Sequence, residues 1–234
     1  TLSSSSAASD VYKRQIIYNP VSVSTSLQFI IQRKKISEKD LIYHNGLWHS
    51  FYHHSKFSSP DSQKTLYQIN SEIDTSFKFL SEADYLFLTF GTALVYEFKS
   101  SGLIVSNCHK IPDKEFQRYR LPPGQIVDDY RQLLPRIWQL NPNLTVIFTV
   151  SPIRHWKDGA VENQLSKSTL LLAVDQIINE FGKRKCNYFP SYEIMMDELR
   201  DYRFYEEDMI HLSGSAINHI WEIFQNSFIN DESR

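Results

Sequence analysis

Near the C-terminal end of the chain, Asp208 precedes His211 by three residues, and Leu212-Ser213 follows. An Asp at that spacing can hold one imidazole tautomer and stabilise the imidazolium formed when the ring takes a proton. This is two thirds of a Ser-His-Asp hydrolase triad. The missing member is a nucleophile. Ser151 and Ser213 are the serine candidates, and neither sits on a strand-turn-helix elbow motif. Cys108 beside His109 offers a thiol, but adjacent residues rarely face each other.

Other residues can serve the same chemistry. Gly91-Thr92 follows an apolar run, where a glycine permits close approach and backbone N–H groups can face a developing oxyanion. Ser151-Pro152-Ile153-Arg154-His155 brings a guanidinium and an imidazole to the end of a second apolar run. Arg154 can grip a carboxylate or phosphate with two parallel bonds, or pair with Asp158. Trp48 and His49 are candidates for a substrate wall. His49, His53 and His54 lie close together, but no Cys or carboxylate joins them at a metal-ligand spacing, so no metal is assigned. No cofactor motif is present.

The elements that must position these residues alternate between strand and helix patterns. Val21 to Gln32 reads as a helix after Asn19-Pro20. Ile42 to Phe51 reads as a hairpin turning at Asn45-Gly46. Asp61 caps a helix over 62–82. Tyr85 to Thr89 reads as a strand buried on both faces. A small hairpin turns at Ser101-Gly102. Helices follow over 125–139 and 163–181, strands over 144–150 and 187–189, a short helix over 194–199, and a last helix over 213–229. This order predicts an α/β fold, a mostly parallel sheet with helices on both faces. Ligands in such folds bind beyond the carboxyl ends of the strands. Gly91-Thr92, Ser151 to His155 and Asp208 to His211 are therefore expected at one sheet edge.

Composition narrows the function class. The 25 basic and 27 acidic residues nearly cancel, leaving −2, so there is no electrostatic reason to expect nucleic acid or a membrane surface. No apolar run is long enough to span a bilayer. Two cysteines without a Cys-x-x-Cys give no disulfide framework, and a reduced cytoplasmic setting is the default expectation. The 234 residues suffice for one globular domain. Residues 1–15 are rich in Ser and Ala and resemble adaptor-derived sequence. They are set apart from the domain, which is taken to run over 16–234, and are expected to lack packed structure.

Taken together, several stretches resemble the GSCFA-domain family, a branch of the SGNH (GDSL-like) hydrolases. They include Ile17 to Ser22, Gly46 to Phe51, Gly91-Thr92-Ala93, Asn107-Cys108-His109-Lys110 and Ser151 to His155. Asn163 to Lys167, Phe189 to Glu193 and Asp208 to His211 complete them. The resemblance implies a three-layer α/β/α, flavodoxin-like fold and a serine nucleophile in a Gly-Ser-Cys-Phe-Ala motif after the first strand. That motif does not occur in this sequence, so the first strand is expected to be missing and the chain inactive as given. Asp208 and His211 carry over as orienting acid and base. The position of the superfamily's oxyanion Asn holds Ala93, which leaves Gly91, Thr92 and Asn107 as oxyanion candidates. The expected activity is that of an esterase or acyltransferase acting on a small-molecule or sugar ester, with Trp48, His49, Arg154 and His155 contacting substrate. The alternative is a non-catalytic module that binds carbohydrate or acyl groups on the same fold. Substrate and oligomeric state are not encoded in these motifs.

Overall fold

The computed structural model describes residues 17–229, so the expectation for residues 1–15 falls outside the described residues. Helix α1 (Pro20–Ile31) starts where Asn19 accepts the Ser22 N–H at 2.9 Å, with proline at the first helical position. The hairpin β1 (Ile42–His44) and β2 (Leu47–His49) turns through Asn45 and Gly46, both at positive φ. Two consecutive left-handed residues are what a two-residue hairpin of the favoured hand requires. Helix α2 (Ser62–Glu82) is capped by the Asp61 carboxylate.

Strands β3 (Tyr85–Phe90), β7 (Thr145–Val150) and β8 (Cys186–Phe189) form a parallel sheet in the order β3-β7-β8. Between β3 and β7 the chain builds an antiparallel sheet, order β5-β4-β6, from β4 (Leu94–Phe98), β5 (Leu103–Val105) and β6 (Phe116–Arg120). It then forms helix α3 (Pro123–Leu140). Helix α4 (Gly159–Phe181) makes the crossover from β7 to β8. A short helical segment, Ser191–Glu193, runs into a π-helical turn at Ile194–Glu198, and helix α5 (Gly214–Phe228) closes the described chain. The described residues thus form a mixed α/β fold with one parallel and two antiparallel sheets.

The central strand decides the core. Val146 to Val150 are buried at every position, whereas β3 alternates, with Tyr85 49% and Phe87 38% exposed. The expectation that β3 is buried on both faces is therefore corrected. Among the described residues β3 has one neighbouring strand, and its outward side chains are only partly covered: Phe87 meets Phe224 and Phe228 of α5 at 5.0 and 5.9 Å. Its inward side chains Leu86, Leu88 and Phe90 join Val146, Phe148 and Val150 in one core with residues of α1, α3 and α4. Ile147 and Phe189 point the other way and pack with Ala216 and neighbouring residues of α5. Strand β6 has no counterpart in the sequence reading. Its charged text, Phe116-Gln117-Arg118-Tyr119-Arg120, hides a strand recognisable only through its pairing with β4.

Phe148 is fully buried in the central strand. Phe148→Ala should cost about 3–5 kcal/mol of unfolding free energy, because it removes transfer energy and leaves a cavity. Urea unfolding at constant slope measures this. A loss below about 1 kcal/mol would show that the strand is not the packed centre.

Candidate functional site

The last ladder pair between β3 and β7 is Phe90↔Val150. One step on, the Gly91 and Ser151 carbonyls are no longer shared between the strands. The Lys167 side chain, fully buried on α4, donates to both, at 2.6 Å each. Burial pushes this amine down to about 7. Lys167 was not among the site candidates. A signal was present: Asn163, Ser166, Lys167, Leu170, Val174 and Ile177 recur at helical spacing, and all are buried.

The turn after β3 is fully bonded. The Gly91 and Thr92 N–H groups both donate to the Tyr18 carbonyl, at 2.7 and 2.9 Å. Ala93 N–H donates to Ser166 Oγ at 2.8 Å, and Leu94 N–H to Thr92 Oγ1 at 3.0 Å. The expectation of free oxyanion donors at Gly91 and Thr92 is therefore corrected: their N–H groups are committed within the fold. Gly91 has another reason to be glycine. A Cβ there would lie 3.1 Å from His155 Nε2 and 3.3 Å from the Tyr18 ring.

His155 packs edge-on to Tyr18, and its N–H is fixed by the Asn163 side chain at 2.9 Å. Burial, then the charges of Lys167 and Arg118, hold its pKa down to about 4, so the ring is neutral at physiological pH. The alternative partner for Arg154 is excluded, because Asp158 pairs with Arg118. Arg154 instead donates to the Tyr205 hydroxyl at 3.0 Å.

Asp208 and His211 meet as the triad pattern requires. His211 Nδ1 lies 2.5 Å from one carboxylate oxygen of Asp208. The other oxygen accepts the Ile210 and His211 N–H groups at 2.8 and 2.9 Å. This Asx turn carries Met209 through the left-handed region at φ 61°. The His211 bond and the two backbone donors hold the Asp208 carboxyl down to about 2. The pair is exposed. Among the described residues no serine or cysteine side chain bonds His211. Ser213 Oγ caps α5, Ser151 Oγ accepts the Ile153 N–H, and burial raises the Cys108 thiol to about 11.

Trp48, His49 and Asn107 gather around a different centre. Trp48 packs on Tyr43. His49 is buried, with Nδ1 on Ser58 Oγ at 2.7 Å and Nε2 on the His44 carbonyl at 3.1 Å. Both ring nitrogens are thus used inside the fold. Its ring lies 4.4 Å from that of His109. His109 Nε2 donates to the Ser50 carbonyl at 2.7 Å, and its buried Nδ1 has no partner among the described residues. Asn107 accepts the His109 N–H through its carboxamide oxygen. Among the described residues no group of three or more His, Cys, Asp or Glu side chains can hold a metal ion, and no helix is long and apolar enough to cross a membrane. Cys108 and Cys186 are free thiols.

A model of the GSCFA family matches residues 2–224. No curated protein matches the chain.

His109 and His155 are both held down to about 4, His109 chiefly by burial. Their unfolded values lie near 6.5. The unfolded state therefore takes up protons first, and stability falls as pH drops from about 6.5 towards 4. Urea midpoints between pH 7 and 4.5 should fall in the wild type and fall less steeply in His109→Gln. An unchanged slope in the variant would show that His109 reaches solvent.

Proposed function

The chain belongs to the GSCFA family, and we propose that its domain works as an SGNH-type serine esterase or acyltransferase with His211 as general base and Asp208 as its orienting acid. The observation that carries this reading is the 2.5 Å contact between His211 Nδ1 and the Asp208 carboxylate. With Nδ1 engaged, Nε2 is the ring nitrogen left to accept a proton. Asp208 is anionic at neutral pH, so it stabilises the imidazolium that forms.

The steps follow from those roles. A serine hydroxyl attacks the ester carbonyl as its proton passes to His211 Nε2. The tetrahedral oxyanion collapses, the alcohol leaves with that proton, and an acyl-serine remains. Water or an acceptor hydroxyl then gives its proton to His211 and takes the acyl group, and His211 returns that proton to the departing serine oxygen. The resemblance assigns the serine to a Gly-Ser-Cys-Phe-Ala segment, which this sequence does not contain. Asn107 sits beside His109 rather than His211, so the oxyanion donor is left to the segment that carries the serine.

Two further observations support the reading. Helices pack on both faces of the parallel sheet, as a three-layer arrangement requires. An open apolar groove is lined by Pro152, Phe189, Leu212 and Trp221, and Leu212 directly follows His211. Its apolar lining suits the acyl part of an ester. A second reading is a binding module for acyl or carbohydrate groups. It is favoured by the absence of a hydroxyl or thiol on His211 among the described residues.

With p-nitrophenyl acetate and a panel of acetylated sugars as probes, the chain as given should show only background hydrolysis. A protein carrying a first strand followed by Gly-Ser-Cys-Phe-Ala ahead of Ile17 should be active. His211→Ala in that protein should lower kcat about 10³-fold or more, as for loss of a triad base. Equal activity of the two parent proteins would defeat the missing-serine account. Inactivity of all three on these esters and on the anionic ester monoethyl succinate would favour the binding module.

A further inference from the structure

Arg154 is a cation without a carboxylate. Among the described residues, Arg33, Arg118, Arg120, Arg131, Arg200 and Arg203 each pair with an acid, and Arg154 does not. Arg136 and Arg184 also lack such a partner, but both are exposed and water solvates them. Arg154 is half-buried. Its guanidinium carbon lies 5.1 Å from the Tyr205 ring centre and 5.7 Å from that of Trp156. One of its five N–H donors is used, by the Tyr205 hydroxyl. Among the described residues no carboxylate pairs with it. Asp158 is held by Arg118 and Asp208 by His211, and no ion pair joins Arg154 to Glu206 or Glu207.

Holding a half-desolvated guanidinium against two rings fixes its plane before any ligand arrives. A planar fork with free donors matches an anion that offers two oxygens. The clamp is also tied to the candidate base. Tyr205 forms a backbone bridge with Leu212, and the Glu206 N–H donates to the His211 carbonyl at 2.8 Å. The ring that holds Arg154 and the ring that would take the proton therefore sit on one closed loop.

We infer that Arg154 recognises an anionic substituent, a carboxylate or a phosphate, on the molecule presented to His211, so that the substrate class is an anionic ester rather than a neutral one. This rests on the reading of His211 as the base, but recognition itself needs no turnover. Arg154 acts here as a binding residue and takes no part in proton transfer.

The test is therefore a binding measurement on the whole chain, by calorimetry and by the shift of the Arg154 Nε–H resonance. The probes are monoethyl succinate, ethyl phosphate and the neutral diethyl succinate. The wild type should bind at least one anionic probe roughly tenfold or more tightly than the neutral diester, as expected for a charge-assisted fork. Which anion is preferred separates carboxylate from phosphate. Arg154→Met keeps much of the side-chain length between the rings and should abolish the preference. Arg154→Lys keeps the charge without the fork and should retain only part of it. Unchanged thermal melts would show that both variants fold. Equal binding of all three probes, no binding of any, or a preference that survives in Arg154→Met would each overturn the inference. Ester turnover is assayed separately, so failure here leaves the His211 reading standing, and loss of turnover leaves this one standing.

Discussion

One buried lysine fixes the edge on which the candidate site is built. Where β3 and β7 stop pairing, two carbonyls point into protein interior with no strand to receive them. An unsatisfied buried carbonyl is costly, and so is a buried amine. Lys167 removes both costs at once by donating to Gly91 and Ser151. The tie also sets geometry. Gly91 leads into the turn that accommodates His155, and Ser151 begins the loop that carries Arg154 and His155. The relative position of the two loops is thus governed by one side chain from a third element, α4.

A second consequence concerns what the backbone can still do. The N–H groups of residues 91–94 all have acceptors supplied by Tyr18, Ser166 or Thr92. This turn is rigid and internally satisfied. Its chemistry is left to side chains around it: a neutral His155, a clamped Arg154, and the Asp208–His211 pair on a loop of its own. The histidine group at His49, His53 and His109 is similar in character. Its rings bond Ser50, Ser58 and backbone carbonyls, and they form a polar core beneath the hairpin.

Much of this was legible in the sequence. Asn19-Pro20, Asp61 and Asn45-Gly46 announce a helix start, a cap and a turn, and the structure has each of them. The Asp208 to His211 spacing anticipates the contact found. What was not legible depends on distant partners. Thr92 and Gly91 looked available because nothing local shows that the Tyr18 carbonyl, far away in sequence, accepts their N–H groups. The burial of His49 was not legible, because Ser58 and His109 meet its ring from other segments. Strand β6 is too polar to declare itself, and Lys167 has no evident role until its place on the buried stripe of α4 is noticed.

The central claim is that Lys167 is sealed between the two strand ends. The direct measurement is the pH titration of its ¹³Cε resonance, assigned by its absence from the spectrum of Lys167→Met. The account predicts a midpoint displaced to about 7. A midpoint near the ordinary lysine value of about 10.4 would show that the amine reaches water, and the strand-end tie would not exist in solution.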